Sequence, residues 1–284
     1  MSRWLQVLGR LKVVTSFAEP YYRSLGGNRF ESTIHAQGAW NDHEQHMAPV
    51  SGILAHAMEN FEPRPGLRIA RLSYEILGLI PVGEFEVFTT MARPGRTIEL
   101  ITAELVAQGR TAVRASAWRL VTADTTAIAA TEDERMPGPD ESGGAVTLIE
   151  WPGGYIRSIE VRRAPGHVAG RGRAWLRSPH PLLDSEPVSD LARLIGLVDT
   201  SNGIATRVSP AAGGWAFPNV DLQVHLYREP HGEWLGLQNS VSFGDDGIGL
   251  TSTVLHDLTG PFGRAEQILT LRSIPSNDTG VQTP

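Results

Sequence analysis

The chain has 284 residues, 41% of them hydrophobic, which is long and apolar enough for two compact units. Acidic residues outnumber basic ones by 31 to 25, leaving a net charge of −6 that argues against a nucleic-acid surface. The absence of cysteine excludes disulfides, thiolate metal sites and a thiol nucleophile, and no apolar run reaches the roughly 18 residues needed to span a bilayer.

Residues 1 to 16 are apolar but interrupted by Arg3, Arg10 and Lys12. Without the unbroken core of a secretion signal, they read as a short docked helix or an arm, and the expected compartment is the cytoplasm. Tyr21 to Gly38 alternates like a strand. Met47 to Phe61 follows with Val50, Ile53, Leu54, Ala57, Met58 and Phe61 at helical spacing, and Pro49 fits a first helical turn. Glu62-Pro63-Arg64-Pro65-Gly66 stops that helix. Four strands are then predicted at 67–79, 84–92, 97–107 and 111–122.

The stretch 123–170 is irregular and holds an acidic run, Glu132 to Glu134. A linker at 131–145 is expected to separate a first unit, 17–130, from a second, 146–273. In the second unit Asp184 or Ser185 is the expected helix cap, with Pro187 in the first turn. Val188, Leu191, Ala192, Ile195 and Val198 form the apolar stripe, and Asn202-Gly203 ends it. Strands are predicted at 220–227, 233–243, 249–257 and 264–272. The polar tail from Pro275 reads as disordered.

The halves echo each other. Pro81-Val82-Gly83-Glu84-Phe85 matches Pro230-His231-Gly232-Glu233-Trp234, and Gly95 matches Gly244 in the next hairpin. This overlay sets Asp221 against Leu72. One helix precedes each antiparallel sheet, and a helix with a single apolar stripe must bury it on something. The expected class is α+β, a double unit with two antiparallel sheets each wrapped around a central helix, the sheets pairing edge to edge or back to back.

Several chemistries find no support. Ser51-Gly52 lacks the strand–turn–helix context of a hydrolase elbow, and the glycines match no phosphate loop or dinucleotide fingerprint. His43 and His46 lie near Asp42 and Glu44, but no third metal ligand has suitable spacing, so no metal and no cofactor are expected.

The segments Gln45-His46-Met47-Ala48-Pro49, Arg93-Pro94-Gly95-Arg96, Asn219-Val220-Asp221 through Trp234, and Gly260-Pro261-Phe262-Gly263-Arg264-Ala265-Glu266-Gln267 resemble, in order and spacing, the TesB-like acyl-CoA thioesterases. Met47 and Ala48 stand where that family often has two glycines. The resemblance covers about residues 22–272 and implies a double hotdog fold, an acyl-CoA substrate, homo-oligomers and no membrane segment. It also implies a water held by an aspartate, a hydroxyl and a glutamine. These carry over to Asp221, Ser242 (or its neighbour Ser240) and Gln267.

Thioester hydrolysis needs a positioned water, a group to take its proton and donors for an oxyanion. A carboxylate, an amide and a hydroxyl can manage the water. The helix start at His46, Met47 and Ala48 can supply oxyanion or substrate-binding donors. Arg93, Arg96 and Arg114 are candidates for the phosphates of CoA. Three readings remain beside the hydrolase: an acyl-CoA-binding module without catalysis, a hotdog hydratase or dehydratase, and a structural interaction protein.

Overall fold

The computed structural model describes residues 18–146, 148, 151–209 and 214–274; the arm at 1–16 and the tail from 275 lie outside the described residues. The first half opens on a hairpin, β1 (Tyr22–Gly26) and β2 (Arg29–Ser32), rather than one alternating strand. Gly26 and Gly27, both at positive φ, make the tight reversal that the alternation hid. Helix α1 (Met47–Asn60) follows, then β3 (Leu67–Ile76), β4 (Glu84–Arg93), β5 (Ile98–Ala107) and β6 (Arg110–Val121).

The second half contains β7 (Ala145–Val146), α2 (Gly154–Ser158), β8 (Glu160–Arg163), β9 (Arg171–Arg177), α3 (Asp190–Val198) and α4 (Ser201–Ile204). These are followed by β10 (Trp215–Ala216), β11 (Asp221–Leu226), β12 (Leu235–Phe243), β13 (Ile248–Asp257), β14 (Gly260–Thr270) and β15 (Arg272–Ser273). Ser189 caps α3 by accepting the Ala192 N–H at 3.0 Å, so the helix starts later than Asp184 or Ser185 implied.

Among the described residues thirteen strands join into one sheet, in the order β1-β2-β4-β5-β6-β3-β11-β14-β13-β12-β9-β8-β7. Of the two expected arrangements, edge to edge or back to back, the sheets take the first. The halves meet edge to edge where β3 pairs antiparallel with β11, from Asp221 opposite Glu75 to His225 opposite Arg71. Joining the two edges satisfies backbone groups that separate sheets would leave open.

The helices pack antiparallel on each other. Gly52 and Gly196 meet at the crossing: a Cβ on Gly52 would sit 2.9 Å from the Ala192 carbonyl and from the Gly196 Cα. Ser51 Oγ lies 2.7 Å from the Ala48 carbonyl and 2.8 Å from that of Ile195, tying the helices together. The Tyr74 hydroxyl donates to the Ser51 carbonyl at 2.9 Å, anchoring α1 to β3. Ile53, Leu54 and Met58 of α1 and Leu194, Ile195 and Val198 of α3 are fully or almost fully buried in the shared core.

The strand registers reveal the repeat more sharply than the turns. Adding 150 to both members of the Ile101–Ala117 pair gives the Thr251–Gln267 pair, and Val87–Leu105 gives Leu237–Leu255 in the same way. The turn-based overlay was one residue out of this register. A one-residue slip exchanges the faces of a strand. With the corrected shift, Leu222 lies against Leu72, both inward, while Asp221 matches Arg71.

Candidate active site

The antiparallel helices bring the end of α3 beside the start of α1. Asp199 is the residue that closes α3, with φ −63° and ψ −15°, and it is only 5% exposed. Its Oδ1 accepts two amide hydrogen bonds, from Asn219 Nδ2 at 2.7 Å and from Gln267 Nε2 at 2.8 Å. Its Oδ2 lies 3.6 Å from His46 Nδ1. The Asn219 amide also donates to the Asp221 carbonyl at 3.0 Å, which fixes its orientation.

Burial raises the Asp199 pKa to about 6, against the lowering effect of the Asn219 and Gln267 bonds. The carboxyl stands between the negative end of α3 and the positive start of α1. The two dipoles offset one another, so burial dominates.

His46 is the N-cap of α1, and its Nδ1 accepts the Ala48 N–H at 3.1 Å. That bond places the lone pair on Nδ1 and the hydrogen on Nε2. The contact with Asp199 is therefore not an ion pair, and burial lowers the His46 pKa to about 3. The ring lies on Tyr155, centroids 4.2 Å apart, and the Tyr155 hydroxyl is held by Thr200 Oγ1 at 2.6 Å. In the first turn of α1, Ala48 N–H is committed to His46 and Pro49 has none. The Met47 N–H is thus the first-turn donor left over.

A cavity of about 600 Å³ opens onto this group. His46, Met47, Asp199 and Asn219 line it at one end, Ile76, Ile80 and Val220 along its wall. Of the arginines, Arg272 lines it; Arg93, Arg96 and Arg114 do not. Arg114 instead pairs with Glu104 at 2.8 Å, and Arg93 binds the Ile98 carbonyl at 2.9 Å. A smaller cavity of about 40 Å³ lies beside the same group, sharing Ala39, Trp40, His46, Asp199 and Asn219.

Of the residues expected from sequence, Gln267, His46 and Met47 come together here, and Ala48 contributes through its bond to His46. Asp221 and Ser242 do not. Asp221 is on the outer face of β11, and its Oδ1 accepts the Ile268 N–H at 2.7 Å, closing the ladder where β11 begins. Ser242 and Ser240 are exposed on the outer face of β12, opposite Leu250 and Ser252. Gln267 points inward, so neither assignment brings its partner to the amide. The inward hydroxyl across the ladder from Gln267 is Thr251.

Asp199 and Asn219 were missed. The signal for Asp199 was a carboxylate directly after an apolar helical stripe, at the helix end that disfavours negative charge. The signal for Asn219 was its place just before an entering strand.

The chain matches the family models for the acyl-CoA thioesterase N-terminal domain over residues 36–120 and C-terminal domain over residues 130–271. It is similar in fold to a hot dog protein of unknown function from Alicyclobacillus acidocaldarius, with TM-score 0.70 and 15% identity over 89% of this chain and 96% of that one. A putative thioesterase II from Thermobifida fusca gives TM-score 0.67 and 17% identity over 88% and 95%. The acyl-CoA thioesterase II TesB2 of Mycobacterium marinum gives 0.64 and 17% over 90% and 96%. A comparison with curated proteins gave no match. Among the described residues no helix is long and apolar enough to cross a membrane. On the two domain matches, which together span most of its length, the chain belongs to the acyl-CoA thioesterase family of thioester hydrolases.

Proposed function

We propose that the protein hydrolyses an acyl-CoA to the free acid and CoA, with Asp199 as the general base. The observation that carries this reading is a buried, cavity-lining carboxyl whose Oδ1 is tied by two amides while, among the described residues, its Oδ2 has only His46 Nδ1 beside it, at 3.6 Å. A base works best when its pKa lies near the operating pH, and burial has moved Asp199 to about 6.

Asp199 Oδ2 takes a proton from water as the water oxygen bonds to the thioester carbon. The Met47 N–H and the Nε2–H of neutral His46 polarise the carbonyl and receive the oxyanion. As the C–S bond breaks, Asp199 returns its proton to the departing thiolate, and atoms and charge balance without a covalent enzyme intermediate. Asn219 and Gln267 hold the carboxylate rather than the water. The part proposed for Gln267 therefore differs from the water-holding one that the resemblance implied: its amide donates to Asp199.

The non-catalytic reading requires only that the cavity bind. The test is thiol release from a series of acyl-CoAs by the parent and by Asp199→Asn. Turnover by the parent and a loss of about 10²-fold or more in the variant are expected. Absence of turnover with every acyl-CoA, or an Asp199→Asn enzyme as fast as the parent, refutes the proposal.

A further inference from the structure

The two cavities that meet at Asp199 differ in size and lining, and a thioester must send its two ends away from the reacting carbon in different directions. The CoA end is long, polar and charged. It needs volume, an opening to water and a cation. Of the two cavities only the one of about 600 Å³ has the volume for a pantetheine arm, and it has one cation, Arg272, in a lining that is otherwise largely apolar.

The other direction leads into about 40 Å³. Its walls away from the reactive group are Trp40, Leu148, Trp151 and Ile156. Of these, Trp151 is the one held firmly. Trp151 is 8% exposed, packs edge-on against Trp40 with centroids 5.1 Å apart, and donates its Nε1–H to the Gly203 carbonyl at 3.3 Å. Phe217 backs both indoles at 6.0 and 5.8 Å. Gly203 lets the indole approach, since a Cβ there would stand 3.2 Å from Trp151 Nε1.

We infer that this enzyme selects short acyl groups, with Trp151 as the residue that stops the chain. The inference rests on the hydrolase reading of Asp199. The small cavity has room for roughly one or two heavy atoms beyond the carbonyl, so acetyl and propionyl groups fit and a longer chain meets the indole. A longer chain would have to displace the Trp151 indole, which packs against Trp40 and Phe217 and is bonded to the Gly203 carbonyl.

The test is kcat/KM by thiol release for acetyl-, propionyl-, butyryl-, hexanoyl-, octanoyl- and dodecanoyl-CoA. The parent is expected to peak at acetyl or propionyl and to fall by at least about tenfold at hexanoyl. Trp151→Ala is expected to move the peak to longer chains, and Ile156→Ala, a smaller change less costly to folding, to move it in the same direction. A parent that prefers octanoyl or dodecanoyl overturns the inference and leaves the hydrolase standing. A parent peak at short chains that neither folded variant moves also overturns the role of this wall. Failure to hydrolyse any member removes the hydrolase reading, and this inference falls with it.

Discussion

Replacing Asp199 with asparagine is expected to remove activity and make the protein more stable at neutral pH. The carboxyl's pKa stands at about 6 in the folded chain, against 3.8 for an ordinary aspartate, because burial disfavours the charge. The folded state therefore holds the proton more tightly than the unfolded state does. Ionisation costs the folded state nothing below pH 3.8, and the cost is complete above about pH 6. The displacement corresponds to roughly 3 kcal/mol. Asparagine carries no charge, and its side-chain oxygen can accept the same two bonds from Asn219 and Gln267. For a chain of this length roughly 3 kcal/mol is about 5 °C in Tm. Thermal melts of parent and variant should coincide near pH 4 and diverge toward pH 7, the variant melting higher. Taking the difference cancels the contribution of His46, which both proteins share. A variant less stable at pH 7, or a difference that does not change with pH, refutes the assignment of a buried, strained carboxylate.

Removing either amide, by Asn219→Ala or Gln267→Ala, takes away a bond that lowers the Asp199 pKa. The acid limb of kcat/KM should move to higher pH, and an unmoved limb would count against the clamp. Asp221→Asn and Ser242→Ala should leave kcat within about threefold, since neither side chain reaches the cavity side of the sheet; a loss of the 10²-fold scale of a general base would restore them to the mechanism. Gly52→Ala should destabilise by about 1–3 kcal/mol in urea melts because its Cβ would press on α3 at 2.9 Å, whereas Gly196→Ala, with its nearest neighbour at 3.5 Å, should cost less than half as much. Equal costs would refute this view of the crossing.

The helical stripe of α1 and the strands β3 to β6 were legible because period and turn chemistry agree there. Ile98 to Ala107 alternates in sequence, and its buried residues, Glu99, Ile101, Ala103, Leu105 and Ala107, alternate in the structure. The choice between edge-to-edge and back-to-back joining of the sheets was not legible, because pairing between edges such as β3 and β11 leaves no local mark. Gln267 stood out as an amide among apolar neighbours. Asp221 carries over by resemblance, and the overlay that set it against Leu72 lent it support only because the matching turns align one residue away from the matching strands, a step that moves an outward residue to an inward position. Asp199 becomes visible only once two helices from different halves are laid side by side. Sequence shows each helix's stripe but not which ends will touch.

The corrected register also shows how the duplicated plan diverged. Gln267 and Thr251 of the second half stand where the first half has Ala117 and Ile101. The first half has an apolar interior at those positions and contributes the start of α1 instead.

That division of labour has a consequence for the intact molecule. On the proposed mechanism the proton acceptor, Asp199, belongs to the second half and the leftover amide donor, Met47, to the first, across a contact made by Gly52 and Gly196. Under that mechanism neither half alone turns over substrate, and both together do so only when the helices have seated. Turnover thus becomes a readout of assembly, usable to follow two separately produced pieces as they find each other.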